Sequence, residues 1–330
     1  MLSLSRHRSL AASGHDPVRR RVLMGGAALT LTLAGGIAPG SQAARAAGHS
    51  AIEMADMEGV ARMKVGSREV TALLDGRIAL PAGAFSGAPD EEIRALIEGG
   101  ETVEGFINAF AVRGPDNLVL VDAGGGALVG PTAGKLGERL AAAGIMVEDI
   151  DVVLATHLHP DHVGGLIGEN ALKPPKAQLV LHEREREAWL SDERMAQAGE
   201  RGAGAFKAAR AALEAFGERV TPIVGNGDVP GGMESIELFG HTPGHTGFFI
   251  NDGGESLLIW GDIIHAPAIQ FARPDVTIAF DSDPEQARAT RAALLDQVVT
   301  DKIPVAGMHL AFPAIGMIGQ SGSGYGFEPL

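Results

Sequence analysis

The sequence predicts an α/β fold in which two β-sheets pack face to face between outer helices, an αββα sandwich. Three observations favour it. Strand-like and helix-like segments alternate from about residue 65 onward. A weak two-fold rhythm places strands and then a helix in each half, and no repeat of fixed period or long low-complexity linker is present. We therefore expect residues 47–330 to form a single domain.

The elements are predicted from hydrophobic periodicity and turn signals. Residues 69–80 are predicted as a hairpin because Asp75-Gly76 is a typical two-residue turn. Residues 284–299 are predicted as a helix because Asp283 is a good N-cap. The other predicted helices are residues 89–97, 131–143, a short one near Val163, and 183–216 with a glycine-rich break at 199–204. The other predicted strands are residues 106–112, 118–121, 151–156, 178–181, 220–224, 236–239, 248–251, 257–260 and 305–308.

The first 46 residues are similar to an export signal of the twin-arginine type. Residues 19–23 (RRRVL) carry the arginine motif, and residues 24–38 form a modestly apolar run that is too short and glycine-rich to span a bilayer well. Small residues offer cleavage after Ala43 or Ala46. We expect a periplasmic or secreted protein without stable membrane insertion. The alternative is a disordered basic tail.

The composition narrows the classes of partner. The net charge is −14, and outside the first 46 residues 21 basic residues stand against 40 acidic ones, a balance of −19. A protein with this negative charge should repel nucleic acid and anionic lipid. The charge therefore favours a small neutral or weakly charged substrate. The chain has no cysteine, so any metal must be held by His, Asp or Glu.

The segment THLHPDH, residues 156–162, is the most informative part of the chain. It places three imidazoles and a carboxylate directly after a predicted buried strand. Alternate residues of an extended backbone point the same way, so His157 and His159 can bind one cation. Asp161 and His162 follow a turn at Pro160 and face a second position. Imidazole and carboxylate suit zinc and its first-row neighbours.

Three further candidate ligands follow apolar runs, where predicted strands end. They are His245 in GHTPGH, Asp262 in WGD and His309 in GMH. Strand ends that meet at one rim of a sheet can assemble a single site.

The order HxHxDH, GHTPGH, WGD and a late His resembles the metallo-β-lactamase superfamily over about residues 65–328. Within it, the chain is most similar to methyl parathion hydrolase and related lactonase- and esterase-like metallohydrolases. The similar stretches are residues 70–76, 118–123, 130–132, 261–262, 281–283 and 309–313.

The resemblance implies a centre of two divalent metal ions, with zinc as the default and manganese, cobalt or iron as alternatives. His157, His159 and His245 would hold the first ion, Asp161, His162 and His309 the second, and Asp262 would bridge them. His241 would then have a structural or outer-shell role. The metal pair would share a water and lower its pKa, and the resulting bridging hydroxide would attack an ester-like carbonyl or phosphorus.

Two residues are candidate catalytic groups beside the metals. Asp161 could pass a proton to the leaving group. His265 stands three residues after Asp262, where lactonases of this superfamily usually have a Tyr that contacts the substrate carbonyl. It could therefore donate a hydrogen bond to the developing oxyanion, or it could only line the pocket.

The resemblance also suggests residues of the substrate pocket. Trp189 and Phe206 match two members of the aromatic cluster of methyl parathion hydrolase, although helix packing alone could explain them. The third position falls near Val129, which is aliphatic. Organophosphate triesters, favoured by the subfamily, thus compete with lactones or aryl esters, favoured by His265 and the lost aromatic ring.

Other functions stay open at this point. They are a nucleic-acid-processing enzyme, a non-catalytic metal-binding protein and an iron-dependent oxygenase of the same fold. β-Lactam hydrolysis is disfavoured because true β-lactamases of this fold lack the bridging carboxylate that Asp262 would supply. The relatives suggest a homodimer.

Some polar residues are interpreted as structural only. Residues 122–126 (DAGGG) are expected to form a tight turn near the site. Asp281 and Asp283 are expected at a helix entry, and residues 183–187 are expected to form a solvated helix face.

Overall fold

The computed structural model describes residues 51–55 and 58–330. The predicted export signal, residues 1–46, lies outside the described residues. Among the residues described, no helix has both the length and the apolar character needed to cross a membrane.

The first sheet has eight strands in the order β1-β2-β3-β5-β6-β7-β8-β9. Strands β6 to β9 pair in parallel, and the others pair antiparallel. The strands are β1 Glu53–Met54, β2 Val60–Val65, β3 Arg68–Pro81, β5 Thr102–Arg113, β6 Leu118–Val121, β7 Val152–Leu154, β8 Gln178–His182 and β9 Val220–Ile223.

The second sheet has seven strands in the order β10-β11-β12-β13-β15-β16-β17. Only β13 and β15 pair in parallel within it. The strands are β10 Gly227–Val229, β11 Met233–Glu237, β12 Thr246–Asp252, β13 Glu255–Ile259, β15 Val305–Ala306, β16 Ile315–Ser321 and β17 Gly324–Pro329. Strands β4 Phe85–Ser86 and β14 Thr277–Ile278 form a small separate pair.

The α-helices connect and cover these sheets. They are α1 Asp90–Leu96, α2 Leu136–Ala142, α3 Pro160–Val163, α4 Glu183–Leu190, α5 Asp192–Gln197, α6 Gly199–Phe216, α7 Pro267–Gln270 and α8 Pro284–Asp301. Helix α8 begins as predicted, because the Asp283 side chain accepts a hydrogen bond from the backbone N–H of Gln286.

The alternation of side chains along the parallel strands separates two cores. In β6, Val119 and Val121 face the core between the sheets, where they join Phe248 and Leu258 of the second sheet. Leu120 points the other way, into a core shared with α2 and α6. Helix α8 adds its apolar side chains to the core of the second sheet. This arrangement confirms the predicted αββα sandwich.

One predicted turn is wrong. Residues 69–80 do not form a hairpin, because β3 continues through them with an irregularity between Leu74 and Gly76. The reason lies in the carboxylate of Asp75, which is buried and accepts backbone N–H groups from Gly125, Gly134 and Leu136 at 2.8–3.1 Å. Asp75 thus anchors a distant loop instead of turning the chain.

Two helix boundaries also differ from the prediction. The helix predicted at residues 131–143 begins only at Leu136. The break predicted at residues 199–204 lies inside α6, which runs without interruption from Gly199 to Phe216. The glycines there are tolerated because α6 buries an apolar face against the first sheet.

Candidate metal centre

The candidate ligands converge at the carboxyl ends of strands. Strand β7 leads into the segment with His157 and His159, β13 leads to Asp262, and β15 leads to His309. Because β7 lies among parallel strands of one sheet and β13 and β15 are parallel in the other, these ends meet at one rim of the sandwich.

The local conformation of the HLHPDH segment separates its ligands into two pairs. His159 is extended (φ −66°, ψ 153°) and forms the N-cap of α3, which begins at Pro160. Asp161 and His162 therefore lie in the first turn of that helix, while His157 precedes it. This is the division that the sequence pattern predicted.

The first group of ligand atoms contains three imidazoles and one carboxylate. Nδ1 of His159 lies 3.0 Å from Nε2 of His157 and 3.0 Å from Nε2 of His241. Oδ2 of Asp262 is 3.3 Å from Nε2 of His241. All four ligand atoms lie within 4.8 Å of one another, which is close enough to share one cation.

Hydrogen bonds on the far side of the rings orient His157 and His241. The Thr156 hydroxyl donates to Asp122 at 2.8 Å, so it accepts the Nδ1–H of His157 at 3.0 Å. Nδ1 of His241 donates to Oδ1 of Asp281 at 2.9 Å. Nε2 of His157 and Nε2 of His241 therefore both face Nδ1 of His159. Ring nitrogens at this separation share either a proton or a metal ion, so the three imidazoles can hold a cation between them.

The second group contains Asp161, His162 and His309. Nδ1 of His162 donates to Oδ2 of Asp122 at 2.6 Å, and Nδ1 of His309 donates to the carbonyl of Phe106 at 2.7 Å. The Nε2 atoms of both rings consequently face Oδ2 of Asp161, at 3.7 and 3.5 Å. Burial would lower the pKa of both imidazoles, but nearby carboxylates raise it, so this group favours positive charge, either as protons or as a bound cation.

Asp262 lies between the two groups. Its Oδ1 is 3.2 Å from Nε2 of His162, and its Oδ2 is 3.1 Å from Nε2 of His309. Within the described part of the chain, Oδ1 of Asp262 and Nε2 of His162 are buried without a hydrogen-bond partner. Buried polar atoms are rarely left in this way, so the donor set fits divalent cations, which His162 and Asp262 would help to hold.

His245 lies beside the first group, with its ring centroid 5.3 Å from that of His157, and both of its ring nitrogens are hydrogen-bonded. Nδ1 bonds to the carbonyl of Leu238 at 2.9 Å, and Nε2 accepts the backbone N–H of Asp262 at 2.9 Å. His241, predicted to have an outer-shell role, occupies the position in the first group.

The electrostatics of the centre favour positive charge. Burial alone would lower the pKa of His241, but hydrogen bonds with Asp262 and Asp281 raise it to about 9. Asp262 likewise has a pKa well below its ordinary value, because nearby imidazoles outweigh the effect of burial. His159, which lacks such a carboxylate bond, is lowered by burial to a pKa of about 3. Bound metals would replace protons here, since ligand atoms must be deprotonated.

His265 lies against the carboxylate of Asp262. Its ring is buried, its Nε2 is 3.2 Å from Oδ2 of Asp262, and it stacks on His309 with a centroid distance of 5.2 Å. Burial lowers its pKa to about 4, so the ring is neutral at pH 7. Among the residues described, neither of its ring nitrogens has a hydrogen bond of good geometry.

Of the three candidate pocket residues, Trp189 and Val129 lie beside candidate ligands. Trp189 contacts the ring of His159 edge-on at 5.4 Å and packs against Phe206 at 4.7 Å. Val129 packs over Gly125, whose neighbour in space is Asp161. Trp189 and Phe206 are largely buried, whereas Val129 is half-buried.

Several supporting residues were missed or misread from the sequence. Asp122 and Asp281 hold the outer nitrogens of His162 and His241, whereas the sequence suggested only a turn and a helix entry. Asn108 of β5 donates to the carbonyls of Met308 and Leu310 on either side of His309. Glu185, expected on a solvated face, is completely buried. The one signal for Asp122 was its position after a strand at the rim where the ligands gather.

Comparisons with known proteins agree with this geometry. AbOPH, a hydrolase of the beta lactamase superfamily, has a crystal structure similar to this chain, with a TM-score of 0.78, 29% identity, and coverage of 84% of this chain and 99% of that one. AidC, a dizinc quorum-quenching lactonase solved with a homoserine product, has a TM-score of 0.77, 26% identity and the same coverage.

A curated mouse protein, metallo-beta-lactamase domain-containing protein 1, is 46% identical over 74 residues, which are 22% of this chain. That match spans only 24% of the length of the mouse protein. The family model of the metallo-beta-lactamase superfamily matches residues 102–302, well over half of the sequence. This chain therefore belongs to the metallo-β-lactamase superfamily.

Proposed function

We propose that this protein is a hydrolase that depends on two divalent cations and cleaves ester-like bonds. The observation that carries the proposal is the Asp262 carboxylate, which lies between two groups of inward-facing imidazole nitrogens. The first cation would be held by His157, His159 and His241, the second by Asp161, His162 and His309, and Asp262 would bridge them. Zinc is our first choice of metal, supported by the dizinc relative AidC.

When bound, such a pair of cations supplies Lewis-acid activation of water and of the attacked carbonyl or phosphoryl oxygen. Asp161 can accept and pass on a proton. Its side chain is 19% exposed, against 2% for Asp262, so it is the carboxylate that faces the opening of the site. Burial would raise the pKa of Asp161, but His162 and His309 lower it below its ordinary value, so the carboxylate is ionised at pH 7.

Lactones and aryl esters are the substrate class that we favour. AidC, at 26% identity, is a lactonase. A neutral His265 beside Asp262 can donate a hydrogen bond to a developing oxyanion, and it cannot add charge that would repel the metals. The aliphatic Val129 stands where the resemblance to methyl parathion hydrolase would place an aromatic ring, which favours this substrate class over aryl phosphotriesters.

Organophosphate triesters remain the second candidate. The packed pair of Trp189 and Phe206 supports them, because it presents an aromatic wall beside His159 that could stack on an aryl leaving group. One metal-assisted mechanism can serve both substrates.

A substrate panel tests the proposal. Purified protein is assayed with lactones, aryl esters and phosphotriesters, before chelation, after chelation, and after zinc is added back, with elemental analysis of each sample. We expect two metal equivalents per chain and hydrolysis that chelation abolishes and metal restores. Hydrolysis that persists without metal, or metal binding with no turnover of any ester, would overturn it.

A further inference from the structure

Glu185 is a completely buried carboxylate in the first part of α4. Its neighbours Glu183 and Glu187 on the same helix are exposed to solvent. Each of its two carboxylate oxygens accepts two hydrogen bonds. Oε1 accepts the backbone N–H of Leu158 at 3.0 Å and the indole N–H of Trp189 at 2.5 Å. Oε2 accepts the Thr242 hydroxyl at 2.6 Å and the backbone N–H of Gly244 at 3.0 Å.

The donors to Glu185 come from both loops that carry the first group of imidazoles. Leu158 lies between His157 and His159, after a strand of the first sheet. Thr242 directly follows His241, in the loop between β11 and β12 of the second sheet. One carboxylate therefore connects the two sheets at the point where their histidines meet.

The packing around Glu185 leaves little room for another arrangement. A Cβ atom on Gly244 would lie 2.3 Å from the backbone nitrogen of Glu185, so only glycine allows this loop to approach α4 so closely. All four groups around the carboxylate are donors. An amide at this position would direct its NH₂ group at one pair of donors, whichever way it is turned.

We propose that Glu185 is a positioning residue of the metal centre, which holds the two histidine loops at the spacing that the first cation needs and orients the indole of Trp189. This inference rests on the proposed function. Removing a partner that orients metal ligands typically lowers metal affinity or activity 10- to 100-fold. We expect an effect of that size on one of the two metal equivalents.

The test compares Glu185→Gln with Glu187→Gln, a matched change at an exposed position of the same helix. Each holoenzyme is dialysed against increasing concentrations of a chelator, and its zinc content is measured. The absorption spectrum of the cobalt-loaded protein reports the geometry of the ligands, and kcat and KM for the best substrate are measured alongside.

We expect Glu185→Gln to lose one zinc equivalent at a chelator concentration about 10- to 100-fold lower than the wild type. Its cobalt spectrum should change, while Glu187→Gln behaves as wild type. A variant with lower thermal stability but unchanged zinc retention and cobalt spectrum would overturn the positioning role. A wild-type protein that binds no pair of metals would overturn the proposed function itself, which separates the two failures.

A second pair of variants covers the case in which Glu185→Gln does not fold. Thr242→Val removes only the hydroxyl that donates to Glu185, and Thr242→Ser keeps it. We expect Thr242→Val to weaken retention of one zinc equivalent and Thr242→Ser to retain both. Equal retention by the two variants would overturn the proposal.

Discussion

The backbone N–H of Asp262 donates a hydrogen bond of 2.9 Å to Nε2 of His245. This bond places the carboxylate of Asp262 between the two groups of candidate ligands. It also occupies Nε2 of His245, the ring nitrogen that would otherwise face a cation. Gly261 makes the approach possible, because a Cβ there would lie 2.3 Å from the same nitrogen. We therefore propose that His245 positions Asp262 and that His241 is the ligand.

Replacing each histidine separately should reveal these different roles. We expect His241→Ala to lose about one of two zinc equivalents, because it removes a nitrogen of the first group. His245→Ala should retain both equivalents and lose activity by about 10-fold or more, because Asp262 is positioned less well. Zinc content by elemental analysis, with kcat on the same samples, measures both effects. The opposite result, with metal lost from His245→Ala alone, would restore His245 as the ligand.

The sequence predicted the sandwich and six of the seven ligand positions that we propose, because strand ends and HxHxDH are local patterns. It could not separate His241 from His245. Both lie in one loop four residues apart, and the choice depends on the Asp262 backbone in another strand. The role of Glu185 could not be predicted from the sequence for a similar reason. Its neighbours on α4 are exposed charges, and three of its four donors come from residues 27 to 59 positions away.

Asp122 should control the second group of ligands. Its Oδ2 accepts both Nδ1–H of His162 and the Thr156 hydroxyl, and its Oδ1 accepts the backbone N–H of Thr156. In Asp122→Asn, the amide NH₂ would face one of these donors and turn the ring of His162. We expect a 10- to 100-fold loss of metal affinity or of kcat/KM. Isothermal titration with zinc measures the affinity, and Asp116→Asn at an exposed turn is the control.

Arg291 should stabilise the loop that carries the bridging carboxylate. It is 1% exposed and donates to the carbonyls of Ile263, Pro274 and Val276 at 2.7–2.9 Å. Arg291→Met would leave the carbonyls of Ile263 and Pro274 without this donor, and we expect the free energy of unfolding to fall by about 3 kcal/mol. Urea denaturation measures the change.

The control for Arg291 is Arg288→Met, an exposed position of the same helix. We expect it to change the free energy of unfolding by less than about 0.5 kcal/mol. Similar unfolding midpoints for the two variants would show that the buried hydrogen bonds contribute little to stability.

The N-terminal segment should direct export through its arginine pair. We propose that replacing Arg19 and Arg20 by Lys keeps the charge but removes the twin-arginine signal, so the full-length precursor should accumulate inside the cell. Cell fractionation with immunoblotting measures the distribution and the size shift on cleavage. A matched change of Arg6 and Arg8 to Lys should leave export intact. Unchanged export of the first variant would contradict the signal.

Replacing His265 should slow hydrolysis of the two substrate classes to different extents. Its ring lies 3.2 Å from Oδ2 of Asp262 and stacks on His309, so a neutral Nε2–H can reach an oxygen that develops charge beside the metals. Such a donor matters most where a carbonyl becomes a full oxyanion, and removing one typically costs about 10²- to 10³-fold in kcat. We therefore expect His265→Ala to lower kcat for lactones by that factor and to change phosphotriester hydrolysis much less. His265→Gln, which keeps an N–H donor, should restore part of the lactone rate. If both substrates slow equally and Gln gives no rescue, His265 only lines the pocket.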